Sequence, residues 1–231
     1  MTRGEATKVA RGDAMPAPVL LDLDNTLSDR ELTFQRWARE FCAARQLPAG
    51  TADWIITRDE DGYADRLVVF RAIREHCGLT DSAGELVSGY RKRALDFVVP
   101  TKGAIETLVT LRDVGHKTVI LTNGGSAMQH AKMDALGLRS IVDAVVVSGD
   151  LGFGKPDPRV FHVAADAVGA PIVGAWMVGD SPANDITGAA RVGMWTAWMS
   201  RGRTWKDTGV APTIALDTLR DLVPRMQAGR T

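Results

Sequence analysis

Cysteine is scarce in this chain of 231 residues. Only Cys42 and Cys77 occur, and no His/Cys cluster accompanies either, which excludes a disulfide framework and a thiolate zinc site; both are read as buried apolar residues of helices. A surplus of either charge is missing too. The 28 basic and 28 acidic side chains cancel, so there is no general field to draw in nucleic acid or anionic lipid, and a small molecule is the expected partner. No apolar run approaches the roughly 20 residues that span a bilayer, which argues against a membrane partner. The first residues lack the charged, apolar and small-residue succession of a signal peptide, and cytoplasmic residence is the expectation. His76, His116, His130 and His162 each stand alone, and none is assigned to a site. Nothing in the sequence signals an oligomeric state.

What is present is a chain with 45% hydrophobic residues, enough to bury a full core and leave a second small module. The stretch Val-Leu-Leu-Asp-Leu-Asp-Asn-Thr-Leu over residues 19–27 is an apolar strand ending in two aspartates two positions apart. Strand side chains alternate faces, so Asp22 and Asp24 leave the strand end on one side. Two converging carboxylates repel, and the arrangement points to a hard cation held by oxygen.

Residues 1–17 mix polar residues without periodicity, as a disordered tail does. Apolar residues at three- and four-residue steps predict helices over 31–47, 65–77 and 82–97. Residues 31–98 are therefore expected to form an all-helical insert, a cap domain. From residue 100 the texture alternates between helices (101–114, 127–136, 158–168, 182–191) and strands (118–121, 144–147, 175–178, 195–199, 213–216), closing on a terminal helix. This predicts a doubly wound α/β core with a mostly parallel sheet, built from residues 18–30 and 99–231. Trp195, Trp198 and Trp205 are read as core and edge packing.

Each chemically loaded segment follows a predicted strand: DLDNT (22–26), LTNG (121–124), GKPDP (154–158) and GDSPAND (179–185). Ligands bind beyond the carboxyl ends of such strands. In this order the four segments resemble the haloacid dehalogenase superfamily of phosphotransferases, over about residues 18–222.

Phosphoryl transfer needs an in-line nucleophile, charge neutralisation and a proton donor for the leaving oxygen. Asp22 is the natural nucleophile, forming an aspartyl phosphate, and the resemblance gives the first aspartate of the motif this role. Asp24 can reach the ester oxygen as acid and then as base. Asp22, Asp180 and the backbone carbonyl of Asp24 make an all-oxygen half-shell suited to Mg²⁺, with Asp185 in support. The Thr122 hydroxyl and the Asn123, Gly124 and Gly125 amides offer a phosphate pocket, into which Pro156 helps to aim Lys155.

The helical insert falls where family members of the first cap type carry a mobile lid, with Trp54, Arg58, Arg66 and Arg71 as residues to face the leaving group. Two departures from common family patterns stand out. Asn25 replaces the usual glycine but tolerates turn conformations. The dehalogenase branch lacks a carboxylate at the position of Asp24, so its presence here speaks against carbon–halogen cleavage. The resulting expectation is a Mg²⁺-dependent phosphatase acting on a small phosphorylated metabolite. A phosphomutase and a non-catalytic binding protein of the same fold are the alternatives.

Overall fold

The computed structural model of the chain describes residues 16–62, 64–206 and 209–228; of the tail expected over 1–17, residues 1–15 lie outside them. Its parallel sheet runs in the order β3-β2-β1-β4-β5-β6. The strands are β1 (Val19–Leu21), β2 (Thr118–Thr122), β3 (Ala144–Val147), β4 (Trp176–Gly179), β5 (Trp195–Met199) and β6 (Ile214–Leu216). The three residues of β1 lie between β2 and β4, with Leu20 opposite Val119 on one side and Met177 on the other.

A parallel strand covered on both faces reads as an unbroken apolar run, and β1 is Val-Leu-Leu for that reason. Its alternation sorts the core. Val19 and Leu21 join Leu108 and Leu111 of α5 (Ala104–Asp113), Met133 of α6 (Ser126–Ala135) and Leu222 and Met226 of the terminal helix α9 (Leu222–Ala228). Leu20 joins Val160, Phe161 and Ala164 of α8 (Pro158–Asp166) on the opposite face. The doubly wound core follows directly. Chain order reverses between β2 and β4 around β1, which opens a crevice at their carboxyl ends.

Between β1 and α5 the chain is helical: α1 (Arg30–Ala44), α2 (Thr51–Arg58), α3 (Arg66–His76) and α4 (Ala83–Ala94). Side-chain caps start three of them. Asp29 accepts from the Leu32 amide at 2.9 Å, Asp65 accepts from that of Val68 at 3.0 Å, and Ser82 and Glu85 form a capping box. An all-helical insert was expected, but periodicity placed no helix at α2; so short a segment, eight residues long, carries too few turns for the period to register. These helices enclose an apolar cluster of their own around Phe34, Trp37, Phe70 and Ile73. Cys42 is buried as expected, whereas Cys77 is only half-buried, at the end of α3. No helix among the described residues is long and apolar enough to cross a membrane.

The connections into and out of this segment lie side by side. The Asp29 amide donates to the Val99 carbonyl at 3.0 Å, and the Thr101 amide donates to that of Leu27 at 2.9 Å. Asn25 turns the chain here with φ of 61°, a left-handed conformation that asparagine accepts more readily than most residues.

Phe161 is fully buried against the sheet. Phe161→Ala is expected to cost about 3–5 kcal/mol through lost burial and a residual cavity, read as a lower midpoint in urea denaturation.

Candidate active site

Asp22 follows β1 directly, and its amide donates to the Val178 carbonyl at 2.9 Å, which ties the strand end to β4. Asp180 follows β4. A π-helical turn, Pro182–Thr187, comes next; the Ser181 hydroxyl caps it by accepting from the Asn184 amide at 3.3 Å. The turn brings Asp185 back over the strand end, where its Oδ2 accepts from the Ser181 amide at 2.9 Å. A β-carbon on Gly179 would run into the Asp185 carboxylate, so only glycine allows this return.

Lys155 arrives from the far side of the sheet. After β3 the chain forms α7 (Ser148–Leu151) and then the Gly154-Lys155-Pro156 loop, whose Lys155–Pro156 bond is cis. Asn123 fixes this loop from β2: its Nδ2 donates to the Lys155 carbonyl at 2.7 Å, and its Oδ1 accepts from the Lys155 amide at 2.9 Å. Gly154 is pressed against the Asn123 side chain, with no room for a β-carbon.

These placements converge. Lys155 Nζ donates to Asp22 Oδ1 and to Asp185 Oδ1, both at 2.7 Å. Asp22, Asp180 and Asp185 are all buried, and each offers a carboxylate oxygen within 4.8 Å of the others'. Burial pushes the Asp22 carboxyl up to about 7; Lys155 pulls it down, and Asp185 raises it further. Burial raises Asp185 too, against the pull of Lys155. For Lys155 burial favours the neutral amine, but the attraction of Asp185 and Asp22 prevails and its pKa rises. One ammonium thus pairs with two of three buried carboxylates, and Arg203 Nη2 lies 3.4 Å from the third, Asp180; the three form an all-oxygen donor set that fits a hard divalent cation.

Asp24 stands apart from that cluster. Lys132 Nζ donates to both of its oxygens at 2.7 Å, and Gln129 Nε2 donates to Oδ2 at 3.1 Å. Burial is the strongest influence on its pKa and works to raise it, but the Lys132 charge and hydrogen bonds, with Arg30 and Gln129, together outweigh that and hold the carboxyl below the usual range. A cavity of about 230 Å³ is bounded by Asp22, Asp24, Thr122, Lys155, Asp180 and Asp185, among others. A larger one of about 790 Å³ opens beside it, sharing Asp24, Arg30 and Asn123 and extending between α4 and α6.

A model of the haloacid dehalogenase-like hydrolases matches residues 19–193. The chain belongs to this family. It is 35% identical over 156 residues to the phosphoserine phosphatase of Thermus thermophilus, an overlap of 67% of this chain and 62% of that one. The chain therefore spans about three fifths of that relative's length. To the ribulose-1,5-bisphosphate 5-phosphatase of Halopiger xanaduensis it is 31% identical over 204 residues, or 79% of this chain and 84% of that one. The HAD-hydrolase YfnB of Bacillus subtilis, crystallised with magnesium, shares the fold with a TM-score of 0.79 at 22% identity, over 92% of this chain and 99% of that one.

Within this haloacid dehalogenase-like crevice, Asp22, Asp24, Thr122, Asn123, Lys155, Asp180 and Asp185 all line the smaller cavity. Several expectations need revision in detail. The acidic cluster contains the carboxylate of Asp185, not that of Asp24, because Lys132 and Gln129 hold Asp24 to one side. The Asn123 side chain is committed to the Lys155 backbone, and the Gly124 amide donates to Ser148 Oγ at 2.9 Å. Of the four residues expected to face the leaving group, Arg66 lines the larger cavity. Trp54 instead stacks between His76 and the Arg58 guanidinium, and Arg71 is exposed and lines neither cavity.

Other contributors were not anticipated. Lys132 and Gln129 lie three residues apart, on one face of α6. Arg30, the first residue of α1, lines both cavities. Trp198 Nε1 and Arg203 Nη2 donate to the Asp180 carbonyl at 3.0 and 2.8 Å, so Trp198 braces the site as well as packing the core.

Gly179→Ala is expected to force Asp185 off the strand end. Overpacking at such a site costs about 1–3 kcal/mol, measurable as a reduced urea midpoint in the metal-free protein.

Proposed function

We propose that the chain is a Mg²⁺-dependent phosphatase that releases inorganic phosphate from a small phosphorylated metabolite through an aspartyl phosphate on Asp22. The observation that carries this reading is the placement of Asp22: one carboxylate oxygen is held by Lys155 within a buried acidic cluster, and Asp24 borders the same cavity. The phosphatase names of the relatives support it.

The donor set fits the metal by its chemistry. Asp22 and Asp180, with the backbone carbonyl of Asp24, would hold Mg²⁺, and Asp185 would support them from behind; the ion supplies positive charge beside the phosphoryl oxygens. Thr122 and Lys155 bind those oxygens, and Asn123 positions Lys155 through its backbone.

An Asp22 oxygen attacks phosphorus, and the bond from phosphorus to the leaving oxygen breaks as Asp24 gives that oxygen a proton. Asp24 then takes a proton from water. The hydroxide attacks phosphorus, the Asp22–phosphorus bond breaks, and phosphate leaves with the Asp22 carboxylate restored. Donation from Asp24 requires its carboxylate to leave Lys132 and take up a proton from water, which the second step supplies again at the end of each turnover. The segment α1–α4 acts as a lid that excludes water and contacts the leaving group.

Asp22→Asn is expected to lower phosphate release from p-nitrophenyl phosphate at least about 10³-fold while the circular dichroism spectrum stays native; retained turnover would overturn the assignment. Chelation with EDTA should abolish release, and added Mg²⁺ should restore it. Asp24→Ala should slow alkyl phosphates by about 10²–10⁴-fold and activated aryl phosphates much less, because only a poor leaving group needs the proton.

A further inference from the structure

The larger cavity has a lining that phosphoryl binding alone does not explain. Arg30, Arg66, Arg91, Lys92 and Lys132 border it, and Asp24 is the one carboxylate among its lining residues. The chain as a whole carries no net charge, so this concentration of cations is local. Three of them are substantially buried, with side-chain exposures of 11% for Arg30, 22% for Arg66 and 16% for Lys132.

Their partners do not balance them. Arg30 grips Asp59 with two bonds of 2.8 and 3.2 Å, and Arg66 donates to the same carboxylate at 2.5 Å. Two guanidiniums thus share one acid, and each carries five N–H donors. Lys132 meets only the carboxylate of Asp24 at ion-pair distance among the described residues. Neither Arg66 nor Lys132 borders the smaller cavity, whose lining includes Lys155, the cation that the proposed function assigns to the phosphoryl group. Three partly buried cations thus share the carboxylates of Asp59 and Asp24, an excess of one positive charge in partly desolvated surroundings that a neutral leaving group would not offset.

We propose that the larger cavity is a subsite for a second anion, a carboxylate or a second phosphate, carried on the leaving group of the substrate. Lys132 is its principal ligand, with Arg66 and Arg30 beside it. The proposal rests on the phosphatase reading and narrows its substrate class. Lys132 holds both oxygens of Asp24, and Asp24 lies where the two cavities meet. An incoming anion therefore takes Lys132 in exchange for Asp24 and frees that side chain to turn toward the scissile bond. A leaving group without an anion leaves the Lys132–Asp24 pair closed. Recognition then enters kcat as well as KM, since the bound anion also frees the group that acts on the leaving oxygen.

Steady-state phosphate release in Mg²⁺ tests this with four substrates: 2-phosphoglycolate, fructose 1,6-bisphosphate, glycerol 1-phosphate and p-nitrophenyl phosphate. The wild type should favour at least one of the first two over glycerol 1-phosphate by ten-fold or more in kcat/KM, and which one it favours separates carboxylate from phosphate. Lys132→Gln should shrink that preference about ten-fold or more, with kcat lowered and KM raised for the anionic substrate, and Lys132→Arg should retain most of it. Should Lys132→Gln melt below the assay temperature, Arg66→Gln, expected to weaken the same preference, takes its place. Equal kcat/KM for charged and neutral leaving groups, or equal loss on all substrates in both Gln variants, overturns the subsite while the phosphatase reading stands. Failure to release phosphate from any substrate, p-nitrophenyl phosphate included, overturns that reading and the subsite with it.

Discussion

Three buried carboxylates crowd the end of the central strands, and one ammonium, from Lys155, sits between two of them. Removed from water, such a group of like charges is unstable on its own. The surrounding structure supplies what it needs. The bare strand end at Gly179 admits Asp185, the Asn123 amide clamps the loop that delivers Lys155, and Trp198 and Arg203 hold the backbone of Asp180. The elements that carry these groups belong to five strands, β1 to β5, so the ion cluster depends on the register of the whole sheet.

Charge is divided between the two adjoining cavities in opposite senses. The smaller is lined by Asp22, Asp180 and Asp185 and the larger by five cations; under the proposed reading the first takes the metal and the phosphoryl group and the second takes the rest of the substrate. Asp24 sits at the boundary and is drawn to the basic side by Lys132. A single side chain therefore borders both spaces, and the proposed subsite makes its position the link between binding and chemistry.

The sheet and its loaded corners were legible because their signals are local. Apolar strands of three to five residues ending in Asp, Thr-Asn-Gly or Gly-Asp-Ser-Pro carry both the period and the turn chemistry within a few positions, and the boundaries of β3 and β5 matched expectation. The reach of Asp22, Asp24, Thr122, Lys155 and Asp180 to one cavity followed from the same logic. What stayed hidden depends on contacts distant in sequence. Lys132 meets Asp24 across 108 positions and Arg203 meets Asp180 across 23, and each by itself reads as a solvated surface cation. The three-residue spacing of Gln129 and Lys132 on one helix face was the available clue, though it does not say what that face meets.

The side-by-side connections at Leu27–Asp29 and Val99–Thr101 have an evolutionary consequence. To the sheet, the whole helical excursion between them is equivalent to a short hairpin, because departure and return are stitched together before the first helix begins. Closing a longer or shorter excursion through the same two stitches changes the entropy of the chain only slowly with length. The core can therefore accept a replacement excursion of different size and lining without re-registering its strands, and the wall that faces the crevice can be remodelled while the acidic cluster is inherited intact.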